Sequence, residues 1–277
     1  MRVLVVTAVP VERDAVTRAF GGTHRTVTLP GAELHRSGAF DVLAGGAGPA
    51  AAAAATAFAL AAAAQPPGPS ASGASASGTS GAGTSGAGSG TSTPGTPDAA
   101  SEASAPEPYG LVVSAGIGGA FTPLTPLGSL VVASDIVAAD LGADTPDGFL
   151  PVTALGFGRD RFAPPPALVR EVAAATGAAA GPVLTVSTVT GTAERAAGLL
   201  AAHPGALAEA MEGFGVAEAA ARVEVPVLEL RAVSNAVGPR DRDAWRIGDA
   251  LAALTEAFGK TAPVLEGWNR HDDRHRS

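Results

Sequence analysis

The chain has 277 residues, 46% of them hydrophobic and 16% charged, which suits one extensively buried α/β domain. Its formal net charge of -8 argues against a nucleic-acid backbone as partner. The absence of cysteine removes disulfides, thiolate nucleophiles and Cys-based metal sites, and the histidines are scattered or lie in the tail, so no metal and no cofactor is expected.

The first predicted strand, Arg2–Thr7, begins without the long apolar region of a signal peptide, so a cytoplasmic protein is expected. The turn Ala8-Val9-Pro10-Val11 leads into a predicted helix, Val11–Ala19, whose first turn carries Glu12. Ligands of open α/β sheets gather beyond the carboxyl ends of strands, which makes Glu12 a candidate general base. The alternative is a solvated acid favoured there by the helix dipole. Thr26–Thr28 and Leu34–Arg36 are candidate edge strands. Strand Asp41–Ala44 then passes through Gly45-Gly46-Ala47-Gly48 into an Ala-rich helix, Pro49–Ala64. That helix falls short of the roughly 20 residues of a membrane span, and no membrane contact is expected.

Residues 65–108 are almost entirely Gly, Ser, Ala, Thr and Pro, a composition that cannot offset its own ordering entropy. A disordered surface insertion within one domain, residues 1–268, is expected, followed by a polar tail at 269–277. A linker between two domains is the other reading, but Met1–Ala64 holds too few elements to cover a sheet on both faces.

Past the insertion, strand Leu111–Ser114 enters a predicted turn, Ser114-Ala115-Gly116-Ile117-Gly118-Gly119-Ala120. It imitates a dinucleotide fingerprint, but Phe121 stands where the third glycine belongs. Strand Ser129–Ile136 is followed by Asp140 and Asp144, which with Asp135 are assigned to turns. Helix Pro166–Thr176 and strand Val183–Ser187 lead to a loop, Ser187–Thr192, containing Val189 and Thr190. Helices Ala193–Ala202 and Leu207–Ala221 come next, then strand Val227–Val233 and helix Asp243–Ala257. The alternation predicts a three-layer α/β sandwich with a central mixed sheet.

Two late segments carry the most chemistry. Ala210-Met211-Glu212-Gly213-Phe214-Gly215-Val216-Ala217 sets a carboxylate among small residues that let a ligand or a backbone approach closely. Charged side chains are rarely buried unpaired, so Glu212 is either a ligand-binding group or a helix-surface acid. Val227-Leu228-Glu229-Leu230-Arg231-Ala232-Val233-Ser234-Asn235 is a buried-looking strand ending in polar residues, where Asn235 is a ligand contact or an ordinary turn former. No Gly-x-Ser-x-Gly elbow is present, which disfavours a serine hydrolase.

These two segments resemble the Met-Glu helix and purine-binding strand of the nucleoside phosphorylase and nucleosidase family. The resemblance covers most of 1–64 and 109–260, and it implies a nucleoside phosphorylase-like fold, a small nucleoside substrate and a homo-oligomer. It gives Glu12 the role of activating water, Glu212 the ribose hydroxyls and Met211 the face of the sugar. Gly116, Ile117 and Gly118 match the family's glycine turn against ribose and base, with Gly116 in place of a frequent Ser. Val189 and Thr190 fall in its base-binding loop. Family members that cleave 6-aminopurines carry Asp where this chain has Asn235. An amide donates to O6 and accepts from N7–H, which favours a hypoxanthine-like base.

The family's phosphate-binding motifs are missing from Thr7–Arg13 and Ser114–Ala120, although Arg13 supplies one candidate cation. Hydrolysis of an N-ribosidic bond is therefore expected. A methylthioadenosine nucleosidase, a purine nucleoside phosphorylase and a non-catalytic nucleoside-binding module are the competing readings.

Overall fold

The computed structural model describes residues 1–64 and 107–268. The expected insertion falls almost wholly, and the polar tail wholly, outside the described residues. In chain order the elements are β1 (Arg2–Thr7), α1 (Pro10–Ala19), β2 (Arg25–Leu29), β3 (Ala32–Ser37), β4 (Phe40–Ala44) and α2 (Pro49–Ala64). There follow β5 (Tyr109–Ala120), β6 (Leu130–Ala138), β7 (Gly142–Thr145), β8 (Gly148–Pro151), β9 (Arg161–Phe162), α3 (Pro166–Thr176) and β10 (Ala179–Thr185). The chain continues through α4 (Ala193–Ala202), β11 (Ala208–Ala210), α5 (Gly213–Arg222), β12 (Val227–Ala236) and α6 (Ile247–Gly267). Among the described residues no helix is long and apolar enough to cross a membrane.

The main sheet runs β11-β10-β6-β12-β5-β1-β4-β3-β2 and is mixed, as the alternation predicts. Its strands distribute their side chains to two cores by the two-residue period. Val3, Val5, Leu111, Val113, Leu228 and Leu230 pack with α3 and α6 residues such as Leu168 and Phe258. Leu4, Val6, Val112, Val227 and Val233 pack on the other side, against Ala52, Ala55 and Val216 of α2 and α5. β11 also pairs antiparallel with β5, so the strands β5, β12, β6, β10 and β11 close into a ring.

Three expectations are corrected. The predicted glycine turn at Ser114–Ala120 is strand: β5 continues through it, paired on one side with β12 and at its end with β11. Glycines permit this because neighbouring groups press on the strand. A Cβ on Gly118 would stand 2.9 Å from the Glu209 carbonyl oxygen. The predicted helix Leu207–Ala221 is divided, since Ala208–Ala210 is a buried strand and α5 begins only at Gly213. Ala favours helix but does not oppose a fully buried strand, and sheet pairing to β10 and β5 decides. The last helix starts at Ile247, after a 3₁₀ turn at Arg242–Ala244, and runs on to Gly267.

Candidate active site

The carboxyl ends of β1, β5 and β12 meet the start of α1 and the β11–α5 junction around one cavity of about 250 Å³. Glu12 enters from α1. Its Oε2 accepts hydrogen bonds from the Ala8 and Val9 N–H groups at 3.0 and 3.3 Å, two donors at the start of the helix that have no carbonyl partner in it. Its Oε1 accepts from the Ile117 N–H of β5 at 2.8 Å. The side chain is buried, so the solvated first-turn reading does not hold. Burial raises the Glu12 pKa above the ordinary carboxylate value, while the Ile117 N–H and Arg231 pull it back.

Glu212 sits at the junction before α5, where the chain turns from strand to helix. It is also buried. Its Oε1 accepts from the Gly48 N–H at 3.2 Å and its Oε2 from the Met211 N–H at 3.3 Å. Behind it stands Arg231, 0% exposed, with Nη1 3.2 Å from Glu212 Oε2. Arg231 Nε donates to Glu229 Oε1 at 2.8 Å and Nη2 to Ser114 Oγ at 2.9 Å. Burial works against the Arg231 charge, and Glu229, Glu212 and Glu12 together hold it.

Close approach explains the small residues here. A Cβ on Gly213 would lie 2.2 Å from Glu229 Oε2, and one on Gly215 2.0 Å from the Pro49 carbonyl oxygen. A Cβ on Gly116 would lie 2.7 Å from Glu12 Oε1 and 2.9 Å from Arg231 Nη1.

At the other end of the cavity, Asn235 Oδ1 accepts from Ser234 Oγ and its Nδ2 donates to the Ala236 carbonyl, both at 2.9 Å. The loop after β10 brings Val189 and Thr190 to the wall. Thr190 N–H donates to Glu209 Oε1 at 2.9 Å, and its hydroxyl donates to Glu209 Oε2. Burial raises the Glu209 pKa and the two Thr190 hydrogen bonds oppose that. Asp140 is no mere turn cap: its Oδ2 accepts from the Ser187 N–H at 2.7 Å and so fixes the root of this loop.

The structure thus brings Glu12, Ile117, Gly118, Val189, Thr190, Met211, Glu212 and Asn235 to one cavity. Gly116 does not line it; its place is behind Glu12, where it leaves room for Arg231. Arg13 is turned away, paired with Asp14 and Glu33 at 3.0 Å each. Sequence reasoning missed Glu209, Glu229, Arg231 and Trp245. The two-residue period was the available signal for one pair: Val227, Glu229, Arg231 and Val233 share a face of β12, and opposite charges on a buried face imply a pair. Glu209 was hidden by the helical reading of its segment.

Among the described residues, the lining includes three acids, Glu12, Glu209 and Glu212, and no Lys or Arg. Such a cavity repels a phosphate dianion and favours developing positive charge, as on a sugar ring losing its base.

Residues 7–265 match the family model of the Phosphorylase superfamily. A futalosine hydrolase of Streptomyces coelicolor is 58% identical over 273 residues, 98% of this chain and 100% of that relative. Two solved Helicobacter pylori structures share the fold. One is an MTAN mutant with 5'-methylthioadenosine in its active site, with a TM-score of 0.70, 16% identity, and coverage of 95% of this chain and 98% of that one. The other is a futalosine hydrolase, with a TM-score of 0.67, 16% identity, and coverage of 95% and 98%.

Proposed function

The chain belongs to the phosphorylase superfamily, and we propose that it hydrolyses the N-ribosidic bond of futalosine, releasing hypoxanthine and dehypoxanthine futalosine within menaquinone biosynthesis. The observation that carries this reading is the convergence of Glu12 and Glu212 on one cavity that ends at Asn235. Full-length likeness to the Streptomyces coelicolor futalosine hydrolase supports the choice of substrate.

In this reading the ribose lies against Met211, with its hydroxyls on Glu212. Arg231 and the Gly48 N–H orient that carboxylate, so it meets the sugar without reorganising. As the bond to the base lengthens, positive charge grows at the anomeric carbon and Glu212 stabilises it. Glu12 takes a proton from the attacking water, a step worth roughly 10²–10⁴-fold. Burial raises its pKa, which makes it a stronger proton acceptor than an ordinary carboxylate. Asn235 meets the departing base, its amide donating to O6 and accepting from N7–H. Water is the nucleophile because the acids around the sugar exclude phosphate.

Incubation with futalosine, inosine and methylthioadenosine, followed by chromatography of the released base, tests the assignment. Futalosine should be consumed fastest, with hypoxanthine as the base. Faster release of adenine from methylthioadenosine would refute it.

A further inference from the structure

The buried lining residues Glu12, Glu209, Glu212 and Ser234 form the floor of the cavity, whereas Val9 and Val189 are exposed and mark its mouth. Trp245, half-buried, belongs to the same rim. It stands near the end of a loop that leaves β12 after Ala236 and returns to it, where the Arg246 N–H donates to the Ser234 carbonyl at 2.8 Å. Arg240 of this loop is exposed, and its guanidinium carbon lies 5.5 Å from the centre of the Trp245 ring. Its stem passes Gly191 of the loop after β10, where an added Cβ would lie 3.9 Å from Arg240 Cγ. The stacked cation is thus held between two loops that border the cavity. Among the described residues it has no carboxylate at ion-pairing distance, whereas its neighbours Arg195 and Arg246 face Asp140 and Asp249. Asp241, next in the chain, is turned to the backbone and accepts from the Asp243 N–H at 3.2 Å.

We propose that Arg240 is a specificity-determining residue for an aryl carboxylate on the 5' side of the nucleoside, whose ring lies along the apolar rim of Val9 and Trp245 while its carboxylate pairs with the guanidinium. The assignment rests on the nucleosidase reading above and deepens it by naming the chemical class of the 5' group. A guanidinium stacked on a ring keeps its N–H donors in its own plane, at the edge, where they match the two oxygens of a carboxylate. An ammonium group has no such fork. The charges also sort the substrate end to end. Three acids on the floor repel an anion, so the carboxylate stays at the mouth with Arg240 and the neutral sugar and base go in first. A purely structural role, in which Arg240 only braces Trp245, makes no distinction between charged and uncharged 5' groups.

The test compares kcat/KM for two hypoxanthine nucleosides that differ only in the 5' group, one ending in a carboxyphenyl ring and the other in a phenyl ring. The native enzyme should prefer the first by about 5-fold or more at low ionic strength, and added salt should shrink that preference. This comparison needs no variant, so it stands whether or not a substitution folds. Arg240→Gln should bring the ratio close to one through slower cleavage of the carboxyphenyl nucleoside. Arg240→Lys should keep part of the preference, because the charge remains and the fork is lost. Equal native rates on the two nucleosides overturn the proposal, and so does an equal fall on both in Arg240→Gln. A native enzyme that cleaves neither nucleoside would instead remove the nucleosidase reading itself.

Discussion

Arg231 Nη1 lies 3.2 Å from Glu212 Oε2, and the same guanidinium is held from its other edge by Glu229 Oε1 at 2.8 Å. One fully buried cation thus positions the carboxylate proposed to meet the sugar, and Glu229 positions the cation. Removing one partner of a buried pair leaves a charge stranded, which costs about 3–5 kcal/mol, so Arg231→Met should destabilise the fold severely. Glu229→Gln is milder because the amide oxygen still accepts from Nε. It should lower kcat by about 10-fold, the effect of losing roughly 1.4 kcal/mol of transition-state stabilisation, with little change in KM. Steady-state kinetics with a thermal melt checks this; a loss confined to melting temperature would make Glu229 purely structural.

Glu12→Gln should reduce kcat by about 10²-fold or more while substrate still binds, because the amide keeps the volume and cannot take the proton. Burial raises the Glu12 pKa, so the acid limb of kcat/KM for the native enzyme should lie above the ordinary carboxylate value of 4.5. Activity falls as pH drops through that limb, since the protonated acid is no base. A limb at or below the ordinary value would show that another group is titrating.

In the proposed reaction, Asn235→Asp exchanges a donor for an acceptor at the O6 edge of the base. It should reduce the preference for hypoxanthine over adenine release by about 10-fold or more, given about 1–3 kcal/mol for each buried polar group left unpaired. An unchanged preference would assign base selection to other residues.

Glycine positions give a sharp structural contrast. Gly116→Ala would push a methyl group to 2.7 Å from Glu12 Oε1, so turnover should fall. Gly198→Ala, on the exposed side of α4 with nothing within 4 Å, should keep full activity. It should also stabilise the fold by up to about 1 kcal/mol. Equal activity of both variants would contradict the packing described at Gly116.

Much of this was legible in the sequence. Strand and helix order followed from alternation, and α2, α3 and α4 lie where their composition and punctuation put them. The roles proposed for Glu12, Glu212 and Asn235 came from motif resemblance, and their convergence on one cavity required the fold. What escaped the reading was set by tertiary pairing. β11 is three small-residue-flanked positions whose strand geometry exists only because β10 and β5 bracket it. With that segment read as helix, Glu209 had no place beside Asn235. Arg231 and Glu229 were visible as letters, but only burial between β5, β6 and α5 turns them into a support for Glu212.

Stability against acid should trace to the opposite end of the sheet. Burial alone would raise the Asp41 pKa, but hydrogen bonds from Arg36, Tyr109 and Arg2 bring it below the ordinary value of 3.8. A carboxylate depressed by folding contributes stability above its unfolded pKa and loses it as pH falls through the folded one. Native stability should therefore decline as pH drops below about 4. Asp41→Asn should cost about 3 kcal/mol near neutral pH and flatten that decline. Denaturant melts across pH 3–7 provide the check, and an undiminished acid slope in the variant would shift the effect to other carboxylates.

In the proposed reaction water, admitted to a cavity lined by acids, cleaves a hypoxanthine nucleoside. The initial rate of hypoxanthine release from futalosine, in phosphate-free buffer and again with phosphate added, tests this reaction together with mass spectrometry of the sugar product. Full activity without phosphate, no acceleration by it, and a free anomeric hydroxyl on the product are expected. A dependence on phosphate with a sugar 1-phosphate as product would contradict it.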